Sequence, residues 1–419
     1  MFSQSFVCFL GARVAFSLAA SVLSVAIGWH LYQATGDPFD LALVGLMQIL
    51  PIMLLFIITG WVVDHFPRKW VLLACASLQL LVFLGLAVSL TGGEVDRVVI
   101  FGLLFLNGCA RAFFGPALQA VLPNIVHREH LSRAVALTST VWNGAMTAGP
   151  FVGGLLLAQL DFASYWVLVG LAVVSLTLLL PLPELRVEQS SQRGSRELLQ
   201  GVRFVLGNPY VLPSISLDMF IVLLGSVVAL LPVFAADVLG LGPEALGLLR
   251  AMPALGAVAA GAVMARLPDG RRVGRRLFVA LLVFAVSILI FALSTSLWLS
   301  LAALFVYGAS DMVSVNLRST LIQLATPDSL RGRVGAVNSL FIATSNDLGD
   351  FRAGAVAAAV GAVPAAVVGA GCAVIVTLVG WKVSPKLQCL DRLSDADVEA
   401  APVSDEDLVG SHRGQRSRG

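Results

Sequence analysis

The stretch LALVGLMQILPIMLLFIITGW, residues 41–61, contains no charged side chain, and a second such run, WVLLACASLQLLVFLGLAVSL, follows at 70–90. A hydrocarbon core about 30 Å thick is crossed by about 20 apolar residues of helix. The two runs therefore read as a transmembrane hairpin, with Asp64 to Lys69 in its aqueous turn. Extending the same test outward gives twelve spans, at 12–31, 41–61, 70–90, 98–120, 134–160, 165–182, 211–234, 246–265, 277–294, 297–321, 334–360 and 363–383. A membrane barrel strand alternates in polarity over roughly 10 residues, and these runs do not. Composition agrees: of 419 residues 58% are hydrophobic and 12% charged, against roughly 25% charged in soluble domains. The net charge of +2 offers no nucleic-acid surface. The expected fold class is all-α integral membrane, with twelve transmembrane helices in two pseudo-symmetric six-helix bundles.

Loop charge sets the orientation. One set of loops carries fourteen basic residues, among them Arg68, Lys69, Arg128, Arg133, Arg275, Arg276, Arg331 and Arg333; the opposite set carries Arg97 alone. Basic loops stay cytoplasmic, so both termini are expected there. The first span is too long, and its leader too poor in bases, for a cleavable signal. Residues 183–209 are polar at first and then amphipathic, reading as a linker and a surface helix between bundles at 1–182 and 210–386. Residues 387–419 read as a cytoplasmic tail without fixed structure. The five cysteines are scattered, and His127-x-x-His130 has no third ligand nearby, so no disulfide framework, metal or other cofactor is expected. No nucleophile elbow or phosphate loop is present, which argues against an enzyme or an ATP-driven pump.

The halves repeat. A shift of 200 residues brings Phe105, Gly108 and Arg111 onto Phe305, Gly308 and Asp311, and Arg133, Ala136, Ser139, Gly149 and Gly154 onto Arg333, Ala336, Ser339, Gly349 and Gly354. A shift of 202 brings Gly45, Leu46 and Pro51 onto Gly247, Leu248 and Pro253. Parallel six-helix repeats are a transporter architecture.

The turn after the first quoted run reads Gly60-x-x-x-Asp64-x-x-x-Arg68-Lys69. Glycine there permits close helix approach, the carboxylate suits a neighbouring helix N-terminus, and the bases suit an anionic leaflet. This pattern resembles the loop 2–3 signature of the major facilitator superfamily. The resemblance implies an acid that locks the two halves together on the cytoplasmic side. Arg266 stands where the second-half counterpart of Asp64 would map, so the gate is expected to be asymmetric. Gly149-Pro150-x-x-Gly153-Gly154 resembles the core of that superfamily's antiporter motif, and Arg111-Ala-Phe-Phe-Gly115 its span-four pattern. The stretch from Thr326 to Asn338, with Asn346 to Asp350, resembles its siderophore and multidrug-efflux branch.

Ionisable groups inside spans are costly and functional by default. Arg111, Asp218, Asp311, Asp347, Asp350 and Arg352 qualify, while Arg13, Arg250 and Arg318 lie nearer helix ends and read as snorkelling. Tyr307, Asp311, Ser314 and Arg318 share one helical face; Asp347 and Asp350, beside Asn346, share another. The resemblance implies that spans one, four, seven and ten line a cavity, with Arg111, Asp218 and Asp311 facing it. Arg111 and Asp311 lie at matching depths, roughly 20 Å into their spans at 1.5 Å per residue, and are expected to face each other as the proton-coupling pair, with Asp350 in reserve. The implied activity is export of a small molecule in exchange for protons, across a bacterial inner membrane, by a monomer. An importer or uniporter of the same fold, and a channel or scaffold, stay open as alternatives.

Overall fold

The computed structural model describes residues 4–91, 96–127, 130–183, 195–266, 272–327 and 330–391, with a few side chains inside these ranges, Asp64 among them, left undescribed. Of the expected tail at 387–419, residues 392–419 lie outside the described residues, as does the first part of the linker. Leu387 and Leu390 are instead buried, and the Leu390 and Asp391 carbonyls accept from Gly274 and Val273 N–H, so these residues are packed where a tail without fixed structure was expected. The described chain is helical: α1 (Gln4–Thr35), α2 (Pro38–His65), α3 (Arg68–Thr91), α4 (Arg97–Ile125), α5 (Leu131–Leu160) and α6 (Ser164–Leu179) form the first half. A short helix, α7 (Ser195–Gly207), precedes the second half: α8 (Val211–Gly225), the three-residue α9 (Leu231–Val233), α10 (Pro243–Met264), α11 (Val273–Leu293), α12 (Leu297–Leu324), α13 (Arg331–Val360) and α14 (Ala362–Val383). Helix starts follow local chemistry. Asp37 caps α2 through Phe39 N–H at 2.8 Å, with Pro38 at the first helical position, and Asp96 caps α4 through Val98 N–H at 2.9 Å.

Among the described residues, ten segments have the length and apolarity of a membrane crossing. Arg133–Leu179 is one of them and takes in both α5 and α6, while α13 is not among them. The reason is visible in α13, where Arg331, Arg333, Asp347, Asp350 and Arg352 interrupt the apolar run. Length and composition therefore do not count twelve separate crossings.

The two halves pack alike. Helix α1 lies on α5 and α6, α4 on α2 and α3, and α3 on α6; in the second half α8 lies on α13 and α14, α12 on α10 and α11, and α11 on α14. The repeat extends to single residues. A Cβ on Gly108 would meet the Gln48 carbonyl oxygen at 2.5 Å and the Pro51 ring at 2.9 Å, and one on Gly308 would run into the Pro253 backbone. A proline opposite a glycine thus holds α2 against α4 and α10 against α12. The halves join through two further matched contacts, α5 on α10 and α13 on α2.

The seventh predicted span departs from expectation. It stops at Gly225, becomes extended at Ser226 (φ −59°, ψ 133°), and resumes as a 3-10 turn at Val228–Leu230, α9, and a π turn at Phe234–Val238. Pro232 sits in the first turn of α9, where its missing N–H suits the restart of the helix after the break. Helix α7 also differs from a free surface helix. It rests on α13, with Gly201 against the Arg333 backbone and Gln200 Oε1 accepting from Arg333 Nη1 at 2.5 Å.

Candidate functional site

Backbone freed in a membrane must find partners inside the protein. At the break after α8 these partners come from α13. Arg352 Nε donates to the Leu223 carbonyl at 2.9 Å and its Nη2 to the Ser226 carbonyl at 3.4 Å. The Ser226 hydroxyl donates to Asp350, which also accepts from the Ala229 N–H. Asp350 and Arg352 thus stand where helical hydrogen bonds would have run. Asp350 lies within electrostatic reach of Arg250 on α10. Arg250 Nη1 in turn donates to Ser24 Oγ on α1 at 2.8 Å, and the Ser24 hydroxyl donates to the Ser21 carbonyl at 2.8 Å. This chain of contacts joins α8, α13, α10 and α1, and it crosses from one half to the other. Tyr307 on α12, its ring stacked on Phe284 at 4.4 Å, is within electrostatic reach of both Asp350 and Asp311.

The expected Arg111–Asp311 pair is not formed. Arg111 is exposed, donates through Nη1 to Gln48 Oε1 at 3.0 Å, and interacts electrostatically with Asp347 of the other half. Asp347 is half-buried and Asn346 exposed. Asp311 instead points into the second bundle, where it lies with Ser314 and Asp218 between α8, α11 and α12. Asp218 is buried in an ion pair with Arg318 and does not face the space between the halves. Tyr307, Asp311, Ser314 and Arg318 of α12 turn toward α8 and α11. Arg318 is correspondingly no snorkelling residue: it is 2% exposed, because a carboxylate waits inside the bundle. Arg250 is also held internally, by Ser24. Arg13 sits over the Trp142 ring at 6.0 Å from its centroid.

The antiporter-like glycines divide their work. Gly149 lies against Ser21 and Gly153 against Val22 and Val25, both on α1, so they pack the first bundle. Gly154 faces outward: a Cβ there would meet Gly247 Cα at 2.5 Å and the Pro243 carbonyl at 2.9 Å. Its counterpart Gly354 meets Ala42 and the Pro38 carbonyl. Pro150 lies inside α5, and its carbonyl oxygen faces Gly247. In the gate motif, Arg68 Nη1 donates to the Ala120 carbonyl at the end of α4 at 2.8 Å, and Lys69 is half-buried in the first turn of α3. Gly60, expected at a close helix approach, has no described neighbour within 4 Å of an added Cβ. Described contacts between the halves lie at the other end, where Phe39 lies edge-on to Phe351 and the Tyr32 hydroxyl donates to Asp237.

Sequence reasoning missed Ser24, Ser226 and the role of Arg250. Gly225-Ser226 followed by Pro232 inside an apolar run was the available signal. It also missed His30, buried on α1, with Nε2 at 2.8 Å from Asp161 and Nδ1 at 3.2 Å from the Tyr165 hydroxyl.

Residues 2–414 match the transmembrane secretion effector family of major facilitator proteins. The chain belongs to this family. Among curated proteins, the transporter is 28% identical over 331 residues to the enterobactin exporters of Shigella boydii serotype 18 and of Escherichia coli O1:K1, spanning 78% of this chain and 79% of each relative. Its fold matches the nucleoside transporter NupG with a TM-score of 0.70 at 12% identity, covering 91% of this chain and 99% of the other. It also matches a bacterial homologue of the iron transporter ferroportin, with a TM-score of 0.68 at 15% identity, covering 91% and 98%.

Proposed function

We propose that this major facilitator protein exports a small amphiphilic molecule, of siderophore or drug type, in exchange for protons by alternating access. The observation that carries the reading is the one-ended closure of the halves. Gly154 on Gly247, Gly354 on Ala42, Phe39 on Phe351 and Tyr32 on Asp237 all lie toward the end where α1 finishes and α2 begins. The end with the gate motif stays apart, with Gly60 unpacked and Arg111 and Asn346 exposed between the halves. Two bundles rocking about such contacts expose a central site to each side in turn. Charge bias places the basic, open end in the cytoplasm of a bacterial inner membrane, with both termini there. Residues 1–182 and 210–386 are the two rocking units and 183–209 their linker, with 387–391 packed on the start of α11. Counting α5, α6 and α13 each as a crossing gives twelve. The export direction draws support from the enterobactin exporter likeness. No covalent chemistry is involved, and the substrate is recognised by the polar groups on α2, α4 and α13.

Asp350 is the coupling carboxylate in this reading, ahead of Asp311. It bonds the break after α8 through Ser226 and reaches toward Arg250, the residue that ties the halves together. Protonation would weaken its attraction to Arg250 and free the Arg250–Ser24 link. The test is flux in everted membrane vesicles, with a catecholate siderophore and an amphiphilic dye as probes. Proton-driven uptake into everted vesicles is expected. Accumulation only in right-side-out vesicles would favour an importer, and non-saturable flux a channel.

A further inference from the structure

Outside the space between the halves, α10 and α11 both pack on α12 and leave a cleft between them on its outer surface. The cleft has a volume of about 1090 Å³. Its mouth, at the start of α11, carries Arg272, Arg275 and Arg276, with Asp391 as the one acid among its described lining. The Arg272 N–H donates to that Asp391 carboxylate at 3.1 Å, and the first amides of α11 are already taken, Val273 by the Asp391 carbonyl at 3.3 Å and Gly274 by the Leu390 carbonyl at 3.1 Å. Positive charge at the mouth therefore comes from guanidinium side chains and not from free helix amides. Below the mouth the walls turn apolar, with Val279 and Val283 on α11 and Val306 and Val313 on α12. The exposed stripe continues along α11 through Val286 and Ile290. Exposed valine and isoleucine along a membrane-spanning helix face lipid.

We infer that this cleft holds one anionic phospholipid, its phosphate on Arg275 and Arg276 and an acyl chain along Val279, Val283, Val306 and the stripe beyond. Three arginines against one acid match an anionic headgroup in charge, and guanidinium forks bind phosphate oxygens in pairs. A soluble anion would use the mouth but leave the apolar walls without a partner. The cleft is formed by the second half alone, so the inference stands whether or not the transport direction proposed above is right. It also gives a role to the basic turn that replaces the acidic gate motif in this half.

The experiment is native mass spectrometry of the full-length protein released from mixed phosphatidylglycerol and phosphatidylcholine bilayers, compared with an Arg275→Gln/Arg276→Gln variant. Both side chains are exposed, so the variant should fold; its thermal unfolding midpoint checks this. Retained phosphatidylglycerol is expected on the wild type, and the preference should fall about 30-fold in the variant, at roughly fivefold per basic residue near a membrane surface. Absence of a wild-type preference, or its persistence in the variant, overturns the proposal. Equal displacement by glycerol phosphate in solution overturns it too, by assigning the arginines to a soluble anion.

Discussion

Asp350 and Asp218 are both carboxylates inside the second bundle, yet their surroundings ask different things of them. Asp218 has a full counter-charge in Arg318, and both are buried. Breaking a buried pair leaves an uncompensated charge and costs about 3–5 kcal/mol, while replacing both partners by apolar groups is often neutral. Asp218→Asn alone should therefore lower the unfolding midpoint of the purified protein, and Asp218→Leu with Arg318→Met should restore most of it. Equal destabilisation by the single and double variants would remove the structural role assigned to the pair. Asp350 instead has the Ser226 hydroxyl and a shared field from Arg250 and Arg352, so Asp350→Asn should keep its hydrogen bonds and the fold. We expect it to lose concentrative transport while keeping downhill exchange, measured in proteoliposomes with and without a pH gradient. An Asp350→Asn protein that still concentrates substrate, beside an inactive Asp311→Asn, would return the role to Asp311. The sequence showed that these acids sat in spans, and which of them shared a face. It could not show which face turned inward to a bundle and which to the gap between bundles, because both environments select the same apolar neighbours.

At the scale of elements, hydropathy resolved the long uniform helices and failed where function bends the pattern. The apolar runs of α1 to α4 were legible because at most one charge, Arg13 in the first and Arg111 in the fourth, falls within each predicted span. The span at 334–360 was read by the same length test although the charges of α13 lower its apolarity, and the seventh span was read as one helix although it breaks at Ser226. The glycine motif was legible as packing, but its partners were not: Gly149 and Gly153 serve their own bundle and Gly154 serves the opposite one. This division makes a prediction. Gly154→Val would drive a side chain into the Gly247 backbone, which cannot yield as a side chain could. The variant should fold and insert, yet fail to close α5 on α10. Cysteine labels placed near Tyr32 should then react faster with an impermeant reagent from the outside, and transport should fall at least tenfold, on the order of 1.4 kcal/mol or more against the closed state. Unchanged labelling with normal transport would show that this contact does not seal the end.

For the whole molecule, alternating access requires the contacts at one end to break when those at the other form. In the proposed cycle this structure is the state with the α1–α2 end shut, and the gate motif would act in the opposite state, so Asp64→Asn should insert normally at matched expression yet transport poorly. The closed end allows a stricter test of the same cycle. Phe39 on α2 and Phe351 on α13 have ring centroids 6.5 Å apart, and they belong to different halves. In a variant whose five native cysteines are replaced, Phe39→Cys with Phe351→Cys should cross-link through a short bis-methanethiosulfonate reagent, because the two rings meet in this state. The cross-link would hold α2 to α13, and a rocking transporter would be trapped with its basic end open. Transport should then fall to background and recover on reduction, while binding of a substrate added to everted vesicles should persist. If the cross-linked protein still carried substrate across the membrane at its reduced rate, the two bundles would not need to separate at this end, and the rocking mechanism would fail for this protein.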